Sequence, residues 1–135
     1  MAGSFSDYLE LEVLDHVFGG ADYTRPATLY IALYTTAPSD AGGGVEASGG
    51  SYARKDVTNN ATNFPAAAAG AKANGIDITF VTATSPGWGE IQALGIFDDP
   101  SAGNLLAWCD LTVFKTVGTG DTFKILTGDL DITLA

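Results

Sequence analysis

The chain is poor in basic residues, in histidine and in cysteine, and each scarcity excludes a class of function. Its 135 residues carry 6 Lys+Arg against 16 Asp+Glu, a formal net charge of −10. A surface of that sign repels phosphate, and only Arg54-Lys55 stand side by side, so no nucleic-acid partner is expected. The lone Cys109 permits neither an internal disulfide framework nor a cysteine-based zinc site. No apolar run approaches the ~20 residues needed to span a bilayer, so no membrane partner is expected. Met1-Ala2-Gly3-Ser4 lacks the basic start and apolar block of a signal peptide, which predicts a product of the cytoplasm. What is present suffices for a core: 46% of residues are hydrophobic and 16% charged. A disordered acidic tail is excluded, and the length fits a single domain over 1–135.

The patterning predicts one helix followed by strands. Apolar residues Phe5, Tyr8, Leu9, Leu11, Val13, Leu14, Val17 and Phe18 recur at helical spacing over about 5–18. Ser4 followed by Asp7 resembles a capping box, and Gly19-Gly20 is a stop. A stripe this wide predicts packing on more than one side, or a partner surface. Thr28 to Thr35 is apolar on both faces and reads as a central strand. Residues 41–51 hold five glycines in eleven positions, too many for a good strand, which predicts a mobile loop or an extended excursion. Tyr52 to Thr58 reads as a polar strand, and Asn59 to Asn74 as a surface connection.

Ile76, Ile78 and Phe80 alternate, as a half-buried strand does. Trp88 to Phe97 is a long strand whose Gly89 and Gly95 mark a bulge or a close approach. Asp98 to Gly103 is a hairpin turn, followed by Asn104 to Asp110 and Leu111 to Phe114 as one strand or two. Thr122–Leu126 pairs most simply with Leu130–Leu134, a longer return being the alternative. The fold expected is mainly β: an antiparallel β-sandwich of jelly-roll or Greek-key type over about 27–134, with one N-terminal α-helix.

Candidate chemistry is sparse. His16 beside Asp15 could serve as a base, but helical neighbours point about 100° apart, so a dipole-complementing residue is the better reading. Asp129 and Asp131 share a strand face at a separation a glycosidase could use, yet a solvated outer face explains them more simply. Asp98-Asp99-Pro100 opens a turn. The glycine clusters form no phosphate-binding loop, and no nucleophile-elbow motif exists. Cys109, within Leu105 to Trp108 and onward, reads as a buried small hydrophobe. No catalytic residue, cofactor or metal ion is expected. Trp88 and Trp108 could stack on sugars, although their strand context favours core or subunit contacts.

Ordered blocks along almost the whole chain carry a resemblance. They are Asp7-Tyr8-Leu9-Glu10 with Leu14-Asp15-His16, Pro26-Ala27-Thr28-Leu29-Tyr30-Ile31-Ala32-Leu33-Tyr34-Thr35, and Gly50-Ser51-Tyr52-Ala53-Arg54. Trp88-Gly89, Gly95-Ile96-Phe97-Asp98, Gly103-Asn104-Leu105-Leu106, Lys115-Thr116-Val117 and Gly120-Asp121-Thr122-Phe123 complete them. In order and spacing these resemble a family of small phage and prophage virion proteins, often labelled tail-fibre-like. The resemblance implies a non-enzymatic structural protein of the virion, made in the host cytoplasm. Its size suits a capsid decoration, or cement, protein: a homotrimer at capsomer junctions, bound to the major capsid protein. The alternative is a tail or tail-fibre component bound to tail proteins, possibly a carbohydrate-binding receptor module. The candidate contact residues are Phe5, Leu9 and Val13 on the helix, Val45 in the glycine-rich segment, and the aromatics Tyr52 and Trp88.

Overall fold

The segment that is apolar on both faces becomes the centre of the structure. In the computed structural model, which describes residues 3–133, β2 (Thr28–Thr36) lies inside a six-stranded antiparallel sheet. β1 (Gly3–Phe5) pairs with β8 (Leu105–Val117), β8 with β7 (Gly89–Phe97), and β7 with β2. The far edge of β2 is shared by β3 (Val45–Glu46) and β4 (Lys55–Thr58). Burial of β2 on both faces explains its run of Leu, Tyr and Ile without polar alternation. Ile31 and Leu33 are fully buried on one side, Ala32 and Tyr34 buried on the other. Each buried Ile or Leu contributes about 1.5–3 kcal/mol relative to an exposed one.

A smaller layer covers one face of this sheet, giving a sandwich-like arrangement. β6 (Ile78–Thr82) pairs with β9 (Thr122–Ile125), and β5 (Ala71–Ala73) with β10 (Asp131–Thr133). The two pairs are successive pieces of one ribbon, interrupted at residues 74–77 and 126–130. Ile78, Phe80, Phe123, Ile125 and Leu130 from this layer meet Ile31, Leu33, Leu94 and Ile96 from the sheet. Trp88 sits among them, edge-on to Tyr52 at 5.2 Å and to Phe80 at 6.3 Å between ring centroids. The expected pairing of Thr122–Leu126 with Leu130–Leu134 does not form. Each half instead finds a partner about fifty residues earlier, where Ile78 and Lys72 offer complementary registers. Leu134 lies outside the described residues. β5 and the buried Phe64 arise in the stretch expected to be a surface connection.

Asn74 holds the interruption together. Its Nδ2 donates to the carbonyls of Ile76 (2.7 Å) and Leu126 (2.9 Å). Its Oδ1 accepts from the N–H groups of Gly128 (3.1 Å) and Leu130 (2.9 Å). The carboxamide thus replaces the ladder bonds the broken ribbon lacks. The side chain can be polar and 2% exposed because four backbone groups satisfy it.

The glycine-rich segment is built into the sheet. Val45 and Glu46 form β3, and Ala47 N–H bonds Leu33 O at 2.8 Å. Gly50 runs so close to Thr84 and Ser85 that a Cβ there would overlap their carbonyl oxygens. Its own carbonyl accepts from Trp88 Nε1 at 2.8 Å. Glycine here serves close approach of two backbones. Gly95 acts likewise on β7, where a Cβ would press on the Tyr34 ring.

The helix α1 (Asp7–Val17) starts later than the capping pattern at Ser4 predicts. Ser4 is held in β1 opposite Trp108, so Ser6 becomes the cap. Ser6 Oγ donates to Leu105 O in a short hydrogen bond and accepts from Leu9 N–H at 3.2 Å, while its own N–H bonds Leu106 O at 2.8 Å. Ser6→Ala is expected to cost about 1–2 kcal/mol, as for caps generally. The loss should appear first as faster hydrogen exchange at Leu9 and Glu10, because the helix has little else to hold it.

Candidate interaction surfaces

No residue of α1 is buried. Phe5 on β1 and Leu9 and Val13 on the helix are half-covered, and Leu9 packs against the main core. The open side is the other row: Leu11, Leu14, Val17 and Phe18 are 63, 54, 59 and 78% exposed. Leu11, Leu14 and Phe18 follow the i, i+3, i+7 spacing that forms one stripe. Of the wide stripe read from the sequence, the candidate residues are therefore the inner part.

Val45 is exposed at the edge strand β3. Trp88 is a core residue, and Tyr52, partly buried, packs against the core. Trp88, at 3% exposure, offers no ring face to a sugar or a partner, which corrects the use of it as a surface contact. Tyr52 OH accepts from Leu33 N–H (3.0 Å) and donates to Glu46 Oε1 (2.9 Å). Burial first, and then the Glu46 carboxylate, push its pKa far up, so it stays a phenol. Burial likewise raises Tyr34 to about 12.

Around Glu46 lies the strongest polar network. Arg54 grips it with two 2.9 Å bonds, Nε to Oε1 and Nη2 to Oε2. Nη1 reaches the carbonyls of Asp99 and Ala102, each at 2.9 Å, and the guanidinium lies 3.7 Å over the Phe97 ring. Burial works against the Arg54 charge, but the bonds to Glu46 outweigh it and hold its pKa above the ordinary value. The network ties the β3–β4 connection to the β7–β8 turn.

The titratable residues singled out in the sequence are likewise committed to structure. His16 Nδ1 accepts from Tyr23 N–H at 3.1 Å. That nitrogen also lies 3.7 Å from Asp22 Oδ1, on the open surface. Asp98 takes Asn104 N–H at 2.7 Å, and Asp99 takes the N–H groups of Ser101 and Ala102. Those bonds hold the Asp99 carboxyl below the usual carboxylate range. Asp129 and Asp131 are exposed and no metal-ligating group of three or more acids, His or Cys forms among the described residues. Burial raises the Cys109 thiol, opposing a reactive thiolate.

A second open surface lies where the two layers part. β1 pairs with β8 only at residues 107–109. Farther along, β8 advances five residues, Asp110 to Lys115, while β7 advances two, Ala93 to Ile91. The extra chain is a wide bulge that presents Val113 and Phe114, 64 and 50% exposed. Between this stretch and β9–β10 runs a groove of about 1030 Å³, lined by Leu111, Val113, Lys115, Ile125, Leu130 and Ile132 among others. In the sequence Val113 and Phe114 look no different from core residues, because a bulge depends on the partner strand's register.

The geometry thus leaves two open surfaces, an apolar row on the helix and a groove lined by both apolar and charged residues. No curated protein matches the chain. The family described as "Podophage GP4 fiber I protein gp80" matches over residues 4–133. With that match spanning nearly the whole fold, the chain belongs to this family of phage virion structural proteins.

Proposed function

We propose that this chain is a tail-fibre component of a phage particle, working through surface contact and without a reactive centre. The observation that carries the reading is the match to a fibre-protein family over residues 4–133. The fold supports it: the polar networks serve the chain's own backbone, and the exposed apolar residues gather on the helix and beside β8. Its partners are then tail proteins and further copies of itself, three to an assembly. Capsid decoration, the first expectation from size, ranks second because the family description names a fibre.

Copy number separates the two. In purified virions, quantitative mass spectrometry should find dozens of copies or fewer, far below the major capsid protein. Antibody-gold labelling should fall at the tail region. A copy number close to that of the major capsid protein, with label over the head, would overturn the fibre reading.

A further inference from the structure

Tyr34 carries a polar group that the fold does not use. The residue is 4% exposed and lies on the face of the large sheet opposite the smaller layer. Its ring stands where a Cβ on Gly95 would be, packed with Phe97 and Leu105. Among the described residues its hydroxyl has no hydrogen-bond partner, and no side-chain nitrogen or oxygen sealed from water lacks one. The hydroxyl therefore reaches solvent, and the opening it reaches is a depression of about 560 Å³ that Tyr34 lines. Glu46 and Arg54, whose charges act on the hydroxyl, line it too. A phenol held by packing, with its donor and acceptor unused, is a contact set in advance for something else.

The other groups around the depression define what fits. Arg54 is committed to Glu46 and to two carbonyls, so that pair adds no net charge. Asp40 lends Oδ1 to Trp108 Nε1 at 2.8 Å, which leaves Oδ2 to accept. Asp7 is exposed in the first turn of α1, and its N–H donates to Asp40 O at 2.9 Å, which holds the two acids side by side. The helix N-terminus offsets part of the Asp7 charge, so Asp40 is the firmer anchor. Asn104 turns Nδ2 to Asp98 and keeps its carboxamide oxygen. The open valences are thus acceptors carrying two negative charges, beside a hydroxyl that can accept as well. A carboxylate or phosphate would be repelled. A neutral alcohol would find acceptors but leave both charges uncompensated. An ammonium group supplies three donors and the missing charge together. Tyr8 and Leu105 on the wall offer apolar surface to an alkyl stem.

We propose that this depression binds a primary alkylammonium group, whose N–H bonds are accepted by Asp40 Oδ2 and the Tyr34 hydroxyl. A lysine side chain of a neighbouring protein and a free amine present the same recognising chemistry. The inference does not rest on the fibre reading.

Amide NMR titrations of the full chain test it, with n-butylammonium chloride, Nα-acetyl-lysine methylamide, n-butanol and sodium butyrate as probes. Both ammonium probes should give saturable shifts at Gly42, Gly43 and Leu105 that weaken as salt is raised, and the neutral and anionic probes should not. Tighter binding of the blocked lysine assigns the site to polypeptide lysine; equal or weaker binding assigns it to free amines. Tyr34→Phe keeps the ring against Gly95 and should weaken ammonium binding about three- to tenfold, the range of one hydrogen bond. Its melting temperature should not fall, because nothing inside the protein loses a partner. Asp40→Asn still accepts from Trp108 through its carboxamide oxygen. It should weaken binding about tenfold and remove most of the salt dependence. No saturable shift up to about 100 mM ammonium probe, equal binding of butanol, or full binding by either variant would overturn the proposal. So would a Tyr34→Phe protein that melts lower, since the hydroxyl would then be serving the fold.

Discussion

Replacing Arg54 by alanine is expected to lower the unfolding free energy by about 3–5 kcal/mol, the range for breaking a buried ion pair by removing one partner. The guanidinium side chain is 6% exposed and the Glu46 carboxylate 28%. Alanine leaves that carboxylate with the Tyr52 hydroxyl as its side-chain donor. It also orphans the carbonyls of Asp99 and Ala102 and uncovers the Phe97 ring. Because Glu46 keeps some access to water, the loss should lie toward the lower end. Arg54→Lys should recover only part of it: one ammonium cannot reproduce a two-pronged grip together with two carbonyl contacts. Urea unfolding followed by tryptophan fluorescence measures both. A drop below about 1 kcal/mol for alanine would show that the network contributes like an ordinary surface pair. Glu46→Ala combined with Arg54→Ala should cost clearly less than the sum of the two, since each single change strands the other charge.

Asn74→Ala should cost about 3 kcal/mol. The Ile76 carbonyl and the Leu130 N–H lose their partner at once, while Leu126 O and Gly128 N–H keep backbone bonds to Asp129 and to Asn74 O, and each buried unsatisfied group costs about 1–3 kcal/mol before water enters the space left behind. Amide exchange at Leu130 should accelerate with the loss of stability. Asn74→Asp is the sharper variant. A carboxylate still accepts from the Gly128 and Leu130 N–H groups but faces the carbonyls of Ile76 and Leu126 with nothing to donate. Burial and those carbonyls favour its protonated form, so its pKa in the folded protein should rise above the unfolded value. The penalty is then present at neutral pH and shrinks as pH falls through the raised pKa. Stability of Asn74→Asp relative to wild type should therefore improve on mild acidification. A difference independent of pH would argue against the carboxamide as the lock of the ribbon.

Strands β2, β6, β7 and β8 are legible in the sequence because local periodicity reports local burial. Ile78 and Phe80 alternate inward as expected, and the Asp98–Gly103 turn joins β7 to β8. What was not legible depends on distant partners. β10 pairs with β5 and not with β9, and nothing within Leu130–Thr133 encodes that choice. Asn74 looks like any loop asparagine until residues 126–130 close around it. Arg54 reads with Lys55 as a small basic pair, yet its partner is Glu46 in a segment whose glycines suggested looseness. For the contact surfaces the sequence points to the helix and to its inner row, whereas the exposed row is the outer one. Spacing shows that two rows are apolar and only the fold shows which one the sheet covers. Trp88 and Tyr52 illustrate the converse, since a large aromatic on a strand looks the same in a core as at a boundary.

β1 has a mechanical consequence. This strand is three residues long, paired with Cys109, Trp108 and Ala107, and it ties the start of α1 to the edge of the large sheet, while residues 18–27 lead from the other end of the helix into β2. If a neighbour grips the helix, the part of the pull that falls on its N-terminal end reaches the sheet through that short zipper and the Ser6 bonds beside it. Tension perpendicular to the strand breaks the bonds one after another, whereas tension along it loads all of them together. The direction in which the helix is drawn therefore sets the force at which β1 leaves β8.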